Sequence, residues 1–247
     1  MKIAVINFSG NVGKSTVARH LLLPRIAGAE LVSVETLNAD ESQVQALRGR
    51  QFGELQEYLQ TIDHAVVDIG ASNVEELLEL MRRYRGSHED FDCFVVPTVP
   101  ALKQQQDTIA TLIDLSRQGI PASKIRLVFN MVDRSINFGA SFFLVMGYVK
   151  EQPVALANPA CCMGTNEIYA RVRNQGIDLA TLARDDTDYK ALIAQAPSPA
   201  EKLALAQKLA TRRLASGVVP ELDACFAALE LQTCVATPVA TLVREPQ

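Results

Sequence analysis

The alternation of apolar and polar positions divides the first 130 residues into short, β-rich apolar runs separated by longer amphipathic stretches. The runs are Lys2 to Asn7, Glu30 to Glu35, His64 to Ile69, Asp92 to Pro97 and Ile125 to Asn130. Between them, Ser15 to Leu23, Asp40 to Leu59, Asn73 to Arg85 and Lys103 to Gln118 carry apolar residues at spacings of three and four. Leu77, Leu78, Leu80 and Met81, set among Glu76, Glu79, Arg82 and Arg83, are the plainest case. Strands alternating with helices in this way predict an α/β fold, a mostly parallel sheet with helices on both faces. The strands are almost continuously apolar, which suits strands covered on both sides.

Beyond Val132 the pattern loosens. A further strand is expected from Gly147 towards Leu156, then a helix over Asn166 to Asn174 stopped by Gly176, and an extended piece at Ile177 to Leu179. Three helices are expected after that, over Thr187 to Ala194, Pro199 to Leu214 and Glu221 to Leu229. Ser198-Pro199-Ala200-Glu201 supplies a cap, a first-turn proline and an acid three residues on. With no internal repeat or low-complexity linker, the expected organisation is one domain over 1–247, with 187–229 as a helical C-terminal extension and 230–247 as a tail.

Composition narrows the choice of function. A chain of 247 residues, 48% hydrophobic and 21% charged, can bury a sizeable core without disulfides or a structural metal. A formal charge of −4 gives no global attraction to nucleic acid or anionic lipid, so any such contact must be a local patch. Cys93, Cys161, Cys162, Cys225 and Cys234 form no CxxC pair, and the three histidines are scattered at 20, 64 and 88, a poor basis for zinc or a disulfide framework. The adjacent Cys161 and Cys162 read either as a redox or cluster-binding pair or, more commonly, as small buried residues. With no signal-like segment and no apolar run of membrane-spanning length, a cytoplasmic protein is expected.

The most informative segment is Ser9-Gly10-Asn11-Val12-Gly13-Lys14-Ser15-Thr16, directly after a predicted strand and before a predicted helix. A glycine-rich turn there lets successive N–H groups converge on a phosphate, and the helix N-terminus adds donors and partial positive charge. Lys14 can reach terminal phosphates and the Ser15 hydroxyl can ligate magnesium. The full pattern would begin with glycine at position 8, where this chain has Phe8. Asn11 suits a position where glycine is usual, because asparagine tolerates positive φ.

Phosphoryl transfer also needs an acid near magnesium and a group that positions water. The third run ends with Asp68, at the edge where a parallel sheet holds its ligand, which makes it the candidate magnesium-side acid. Glu35 ends the second run and reads equally as an orienter of water or as an acid leaving for solvent. Asp40 reads as a helix cap. Asn130 ends the fifth run; on spacing alone it is a turn-former before it is a reader of a purine edge. Pro97 and Pro100 shape another turn on the same rim.

Together these residues resemble the deviant Walker A ATPases of the ParA/MinD group, over roughly residues 2 to 180. Ser9 to Thr16 matches the phosphate loop, Asp68 the acid ending the third strand, Glu35 the switch I acid, and Asn130 the asparagine that contacts adenine. Ala4 to Lys14, with Val34-Glu35-Thr36, looks most like the plasmid-borne StbB-type branch. The chain departs from the group at Ser9, which replaces its signature lysine, and at Asn11, which replaces the second of its paired glycines. Loss of a cation that reaches a partner's nucleotide implies slow turnover or none.

The resemblance implies a switch that binds ATP or ADP with Mg2+, with Lys14, Glu35 and Asp68 as its catalytic candidates. The implied state is a nucleotide-dependent homodimer acting in plasmid stability, partition, positioning or conjugative transfer. The alternative is a hydrolysis-deficient adaptor that binds a DNA-binding partner protein from the same plasmid system; a metabolic ligase or amidotransferase relative would need a second substrate pocket. Arg212 and Arg213, near Lys202 and Lys208, are the candidates for direct DNA contact, and a solvated helix face explains them as well. The tail from Thr237 to Gln247 lacks a basic-apolar stripe, so membrane attachment is not expected.

Overall fold

The computed structural model describes residues 1–34, 44–173 and 176–234. Six strands form one sheet: β1 (Lys2–Val5), β2 (Glu30–Val34), β3 (Ala65–Ile69), β4 (Cys93–Thr98), β5 (Ile125–Val132) and β6 (Cys162–Gly164). Their spatial order is β2-β3-β1-β4-β5-β6 and every pairing is parallel. The helices are α1 (Lys14–Thr16), α2 (Val44–Thr61), α3 (Val74–Arg83), α4 (Leu102–Arg117), α5 (Phe138–Ser141), α6 (Phe143–Glu151), α7 (Ile168–Arg171), α8 (Leu179–Arg184), α9 (Tyr189–Gln195) and α10 (Pro199–Ala228). After α1 the chain continues as a π-helical stretch, Val17–Leu22, and a 3-10 turn, Leu23–Arg25.

Alternate side chains of the strands feed two cores. Ala4, Val67, Phe94, Leu127 and Phe129 face α2, α3, α4 and α6, through residues such as Phe52, Leu78, Leu112 and Val145. Ile3, Val5, Val66, Val95 and Val128 face the other layer, where Val17 and Leu21 meet Ala215, Val218, Leu222 and Cys225 of α10. The second half of α10 is therefore built into the main core. Burying both faces of the inner strands is what made their sequences continuously apolar. The chain leaves β1 for β2 on one side and later adds β4 on the other, so strand order reverses at β1, the usual place for a ligand crevice.

Three local expectations change. The segment expected as a strand from Gly147 is mostly α6, because Phe142, Val145, Met146 and Val149 share a helical face towards the core. Only its far end pairs, through a single bridge between Leu156 and Arg126, and the sixth strand is the short edge run Cys162–Gly164. Leu179 opens α8 where an extended piece was expected, since Asp178 caps it by accepting from Ala180 and Thr181 N–H groups. The two expected C-terminal helices are one. Pro220 lies on the exposed side of α10, where water can meet the carbonyl left without an amide partner, while Val218, Leu222 and Cys225 hold the opposite side in the core. The expected Ser198 cap is in place, accepting from Glu201 N–H at 3.3 Å.

Candidate functional site

The phosphate loop occupies the turn between β1 and α1. Asn11 takes φ +57°, the positive φ expected of it, and Gly13 takes φ +84°. Gly10, Asn11 and Ser15 are exposed, whereas Ser9, Val12 and Lys14 are buried. Thr16 is half-buried, and Gly13 O accepts the Val17 N–H at 2.9 Å, which starts the helix. Phe8, where the consensus has glycine, donates its N–H to Thr111 Oγ1 at 3.1 Å. Its side chain lines a groove of about 730 Å³ between α3 and α4, with Glu75, Glu79, Arg82 and Asp107 around it. The ring is thus accommodated outside the cradle.

Lys14 turns back on the loop. Its Nζ donates to Ser9 O at 2.7 Å and to Asn7 O at 3.1 Å. Burial pulls its pKa from 10.5 down to about 8, and the Asp68 carboxylate opposes that shift. Asp68 is itself buried, on β3 directly opposite Val5 of β1. The structure therefore brings Lys14 and Asp68 together at one end of the two central strands. Ser15 is exposed in the first turn of the helix. Magnesium is usually held by one or two protein oxygens together with phosphate and water, oxygens that Ser15 and Asp68 could supply. Among the described residues no cluster of three His, Cys, Asp or Glu side chains could hold a metal by itself.

Asn130 also reaches this loop, from the end of β5. Its Nδ2 donates to Val12 O at 3.0 Å, and its Oδ1 accepts from the Met131 N–H at 2.9 Å. The amide is 3% exposed and braces the loop from below. Gly13 packs so closely that a Cβ there would overlap Asn130 Nδ2. Glu35, with Asn38 and Asp40, lies outside the described residues. The preceding Val34 is fixed, its carbonyl accepting from Gly70 N–H at 3.1 Å and Asn73 Nδ2 at 2.9 Å.

A buried polar chain behind the loop is absent from the motif reading. Asn7 Oδ1 accepts the Ser9 N–H at 2.7 Å, and Nδ2 donates to Pro97 O and Thr108 Oγ1, both at 2.8 Å. Thr108 is bonded to Thr98 Oγ1 at 3.0 Å and to Gln104 O at 2.7 Å. The signal was present as Thr108 and Thr111, polar residues one helical turn apart on the face of α4 that should be apolar.

The remaining candidates fall elsewhere. Arg212 donates to Asp185 O at 3.0 Å and Thr187 O at 2.6 Å and stacks over the Tyr189 ring, so its guanidinium ties α10 to the start of α9. The guanidinium of Arg212 is thus engaged within the fold, whereas Arg213, Lys202 and Lys208 are exposed. The five cysteines are free thiols, four of them buried, and burial pushes Cys161 up to about 12. Among the described residues no helix is long and apolar enough to cross a membrane; the segment from Thr237 lies outside them.

The sequence matches no protein-family model and no curated protein. Among solved structures it is similar to apo McdA from Cyanothece, at 16% identity over 84% of this chain and 98% of that one, with a TM-score of 0.52. MinD from Pyrococcus horikoshii, solved with Mg-ADP, gives 15% identity over 88% and 95% of the two chains and a TM-score of 0.49. MinD from Aquifex aeolicus gives 11% identity, 87% and 97% coverage and 0.49. The parallel six-stranded sheet and the helices that cover it give this chain the fold of McdA.

Proposed function

We propose that this chain is an ATP-binding, magnesium-dependent nucleotide switch of the ParA/MinD type, with slow turnover, acting in plasmid stability, partition, positioning or transfer. One observation carries the reading: a glycine-and-asparagine cradle after the central strand, with Lys14 buried behind it and facing Asp68. An arriving triphosphate offers the Lys14 ammonium an anionic partner better than two carbonyls, and the loop's N–H groups meet the remaining charge. Ser15 and Asp68 would hold magnesium, which, when bound, offsets charge on the terminal phosphates. Glu35 is assigned to orient water, and Asn130 to set the floor under the nucleotide. A base contact by Asn130 would require its amide to leave Val12 and Met131.

A nucleotide-dependent homodimer is part of the reading. Met131 near the end of β5, Leu102 at the start of α4 and Phe143 at the start of α6 are 43%, 55% and 57% exposed, which supports a covered rim in one state of the cycle. The adaptor reading is favoured by Ser9. It replaces the family's signature lysine, is buried, and offers no cation to a partner's nucleotide. A DNA-binding partner protein belongs to both readings.

ATP binding and steady-state hydrolysis with magnesium, with and without DNA, test the choice against Lys14→Ala. Turnover that disappears in the mutant is expected for the switch, and binding without turnover for the adaptor. Binding that Lys14→Ala leaves unchanged would refute both.

A further inference from the structure

Asn7 is fully buried, and both N–H donors and the carbonyl oxygen of its side-chain amide are bonded, each to a different part of the molecule. Oδ1 holds the Ser9 N–H of the phosphate loop, while Nδ2 holds Pro97 O at the end of β4 and Thr108 Oγ1 on α4. Its main-chain oxygen is one of the two carbonyls that hold Lys14. A buried amide is costly unless every partner is supplied, so this arrangement fixes one geometry of the loop relative to α4.

From α4 the connection continues. Gln105, one residue from Gln104 and three from Thr108, donates to Pro100 O at 2.7 Å and Ser141 O at 2.9 Å and accepts the Val145 N–H at 3.2 Å. It is fully buried as well. The loop, the β4 turn and the start of α6 are therefore linked by adjoining buried amides and hydroxyls. We propose that Asn7 is a positioning residue for the nucleotide: through Thr108 it pins the phosphate loop to α4, and thereby to the rim turns that Gln105 holds. The inference rests on the nucleotide-binding reading above. When Lys14 leaves Asn7 O and Ser9 O for a phosphate, the Asn7 amide keeps the first half of the loop in place, so the change at Lys14 is felt at α4.

Thr108 gives the decisive test, since it lies behind the loop and touches no ligand. Thr108→Val keeps the shape and removes the hydroxyl, whereas Thr108→Ser keeps the hydroxyl. Binding of a fluorescent ATP analogue is expected to weaken several-fold in Thr108→Val and to remain at the wild-type level in Thr108→Ser. Asn7→Ala is expected to weaken it about tenfold, the effect of one lost buried hydrogen bond. Because the two residues act as a unit, Asn7→Ala with Thr108→Val should bind about as weakly as Asn7→Ala alone. Urea unfolding of each variant separates this from general destabilisation, and the threonine pair decides the matter even if Asn7→Ala fails to fold.

Wild-type affinity in a folded Thr108→Val, or full additivity in the double mutant, would overturn the role of Asn7 and leave the nucleotide reading standing. Failure of the folded wild-type protein to bind ATP more tightly than Lys14→Ala would overturn both.

Discussion

Alanine at position 13 is expected to be far more damaging than a single methyl group suggests. Gly13 sits at φ +84°, where an L-residue is disfavoured by about 1–2 kcal/mol. A Cβ built there falls well under 3.0 Å from Asn130 Nδ2, and its Cγ lies only 3.4 Å away. Asn130 is 3% exposed and cannot turn into solvent without leaving Val12 O and the Met131 N–H. Stranding those buried groups costs about 1–3 kcal/mol more, for a total of about 2–5 kcal/mol. Urea unfolding of Gly13→Ala in the wild-type and Asn130→Ala backgrounds separates the two contributions, provided the m-values agree. With Asn130 truncated the overlap disappears, so the same substitution should cost only about 1–2 kcal/mol, the backbone contribution. Equal costs in both backgrounds would show that Asn130 does not pack on Gly13, and the brace under the loop would be wrong.

Lys14 gives a pH dependence. Its folded pKa of about 8 lies below the unfolded 10.5, so between those values the unfolded lysine holds a proton that the folded one has shed, and stability should rise with pH across that window. ATP affinity should move oppositely, steady below pH 7 and falling as pH rises past 8, because the neutral amine gives phosphate no charge; titration with ATP from pH 6.5 to 9.5 checks this. Asp68→Asn removes the carboxylate that counteracts burial, so the fall should begin at lower pH. Arg212→Ala should destabilise the fold by about 1–3 kcal/mol by releasing Asp185 O and Thr187 O. It should leave the salt dependence of any DNA binding unchanged, whereas Arg213→Ala would reduce that slope if Arg213 contacts phosphate.

The fold was legible wherever one kind of environment ran the length of an element. Val66, Val67 and Ile69 are fully buried and declare a covered strand, and Leu77, Leu78 and Met81 declare a helix with one wet side. Legibility failed where tertiary packing overrode local preference. Tyr148 and Val149 look like a strand, yet α6 forms because Phe142 docks against Phe129 and Phe138, with ring centroids 4.9 and 5.1 Å apart. Pro220 looks like a break, yet α10 runs through it because both of its halves already have somewhere to pack. Arg212 and Arg213 look equivalent in sequence; a step of one residue turns one towards carbonyls and the other towards solvent.

At the candidate site, the readable residues are those whose chemistry needs a particular atom in a particular place. Lys14, Gly13 and Asp68 could be named because phosphate and magnesium constrain charge and backbone conformation, and those constraints leave a short, recognisable spacing. Asn7 and Thr108 meet no ligand. They are separated by 101 residues and satisfy each other, so neither position is unusual until the fold brings them together. Their polarity is visible in the sequence only as a defect, an asparagine closing an apolar strand and a threonine on the dry face of a helix. In a core that could have used leucine at both places, a pair of mutually satisfied defects constrains geometry where an apolar contact would slide. The loop is anchored to α4 by such a pair and to β5 by Asn130, and under the proposed function the two anchors enclose the segment that Lys14 would leave for a phosphate.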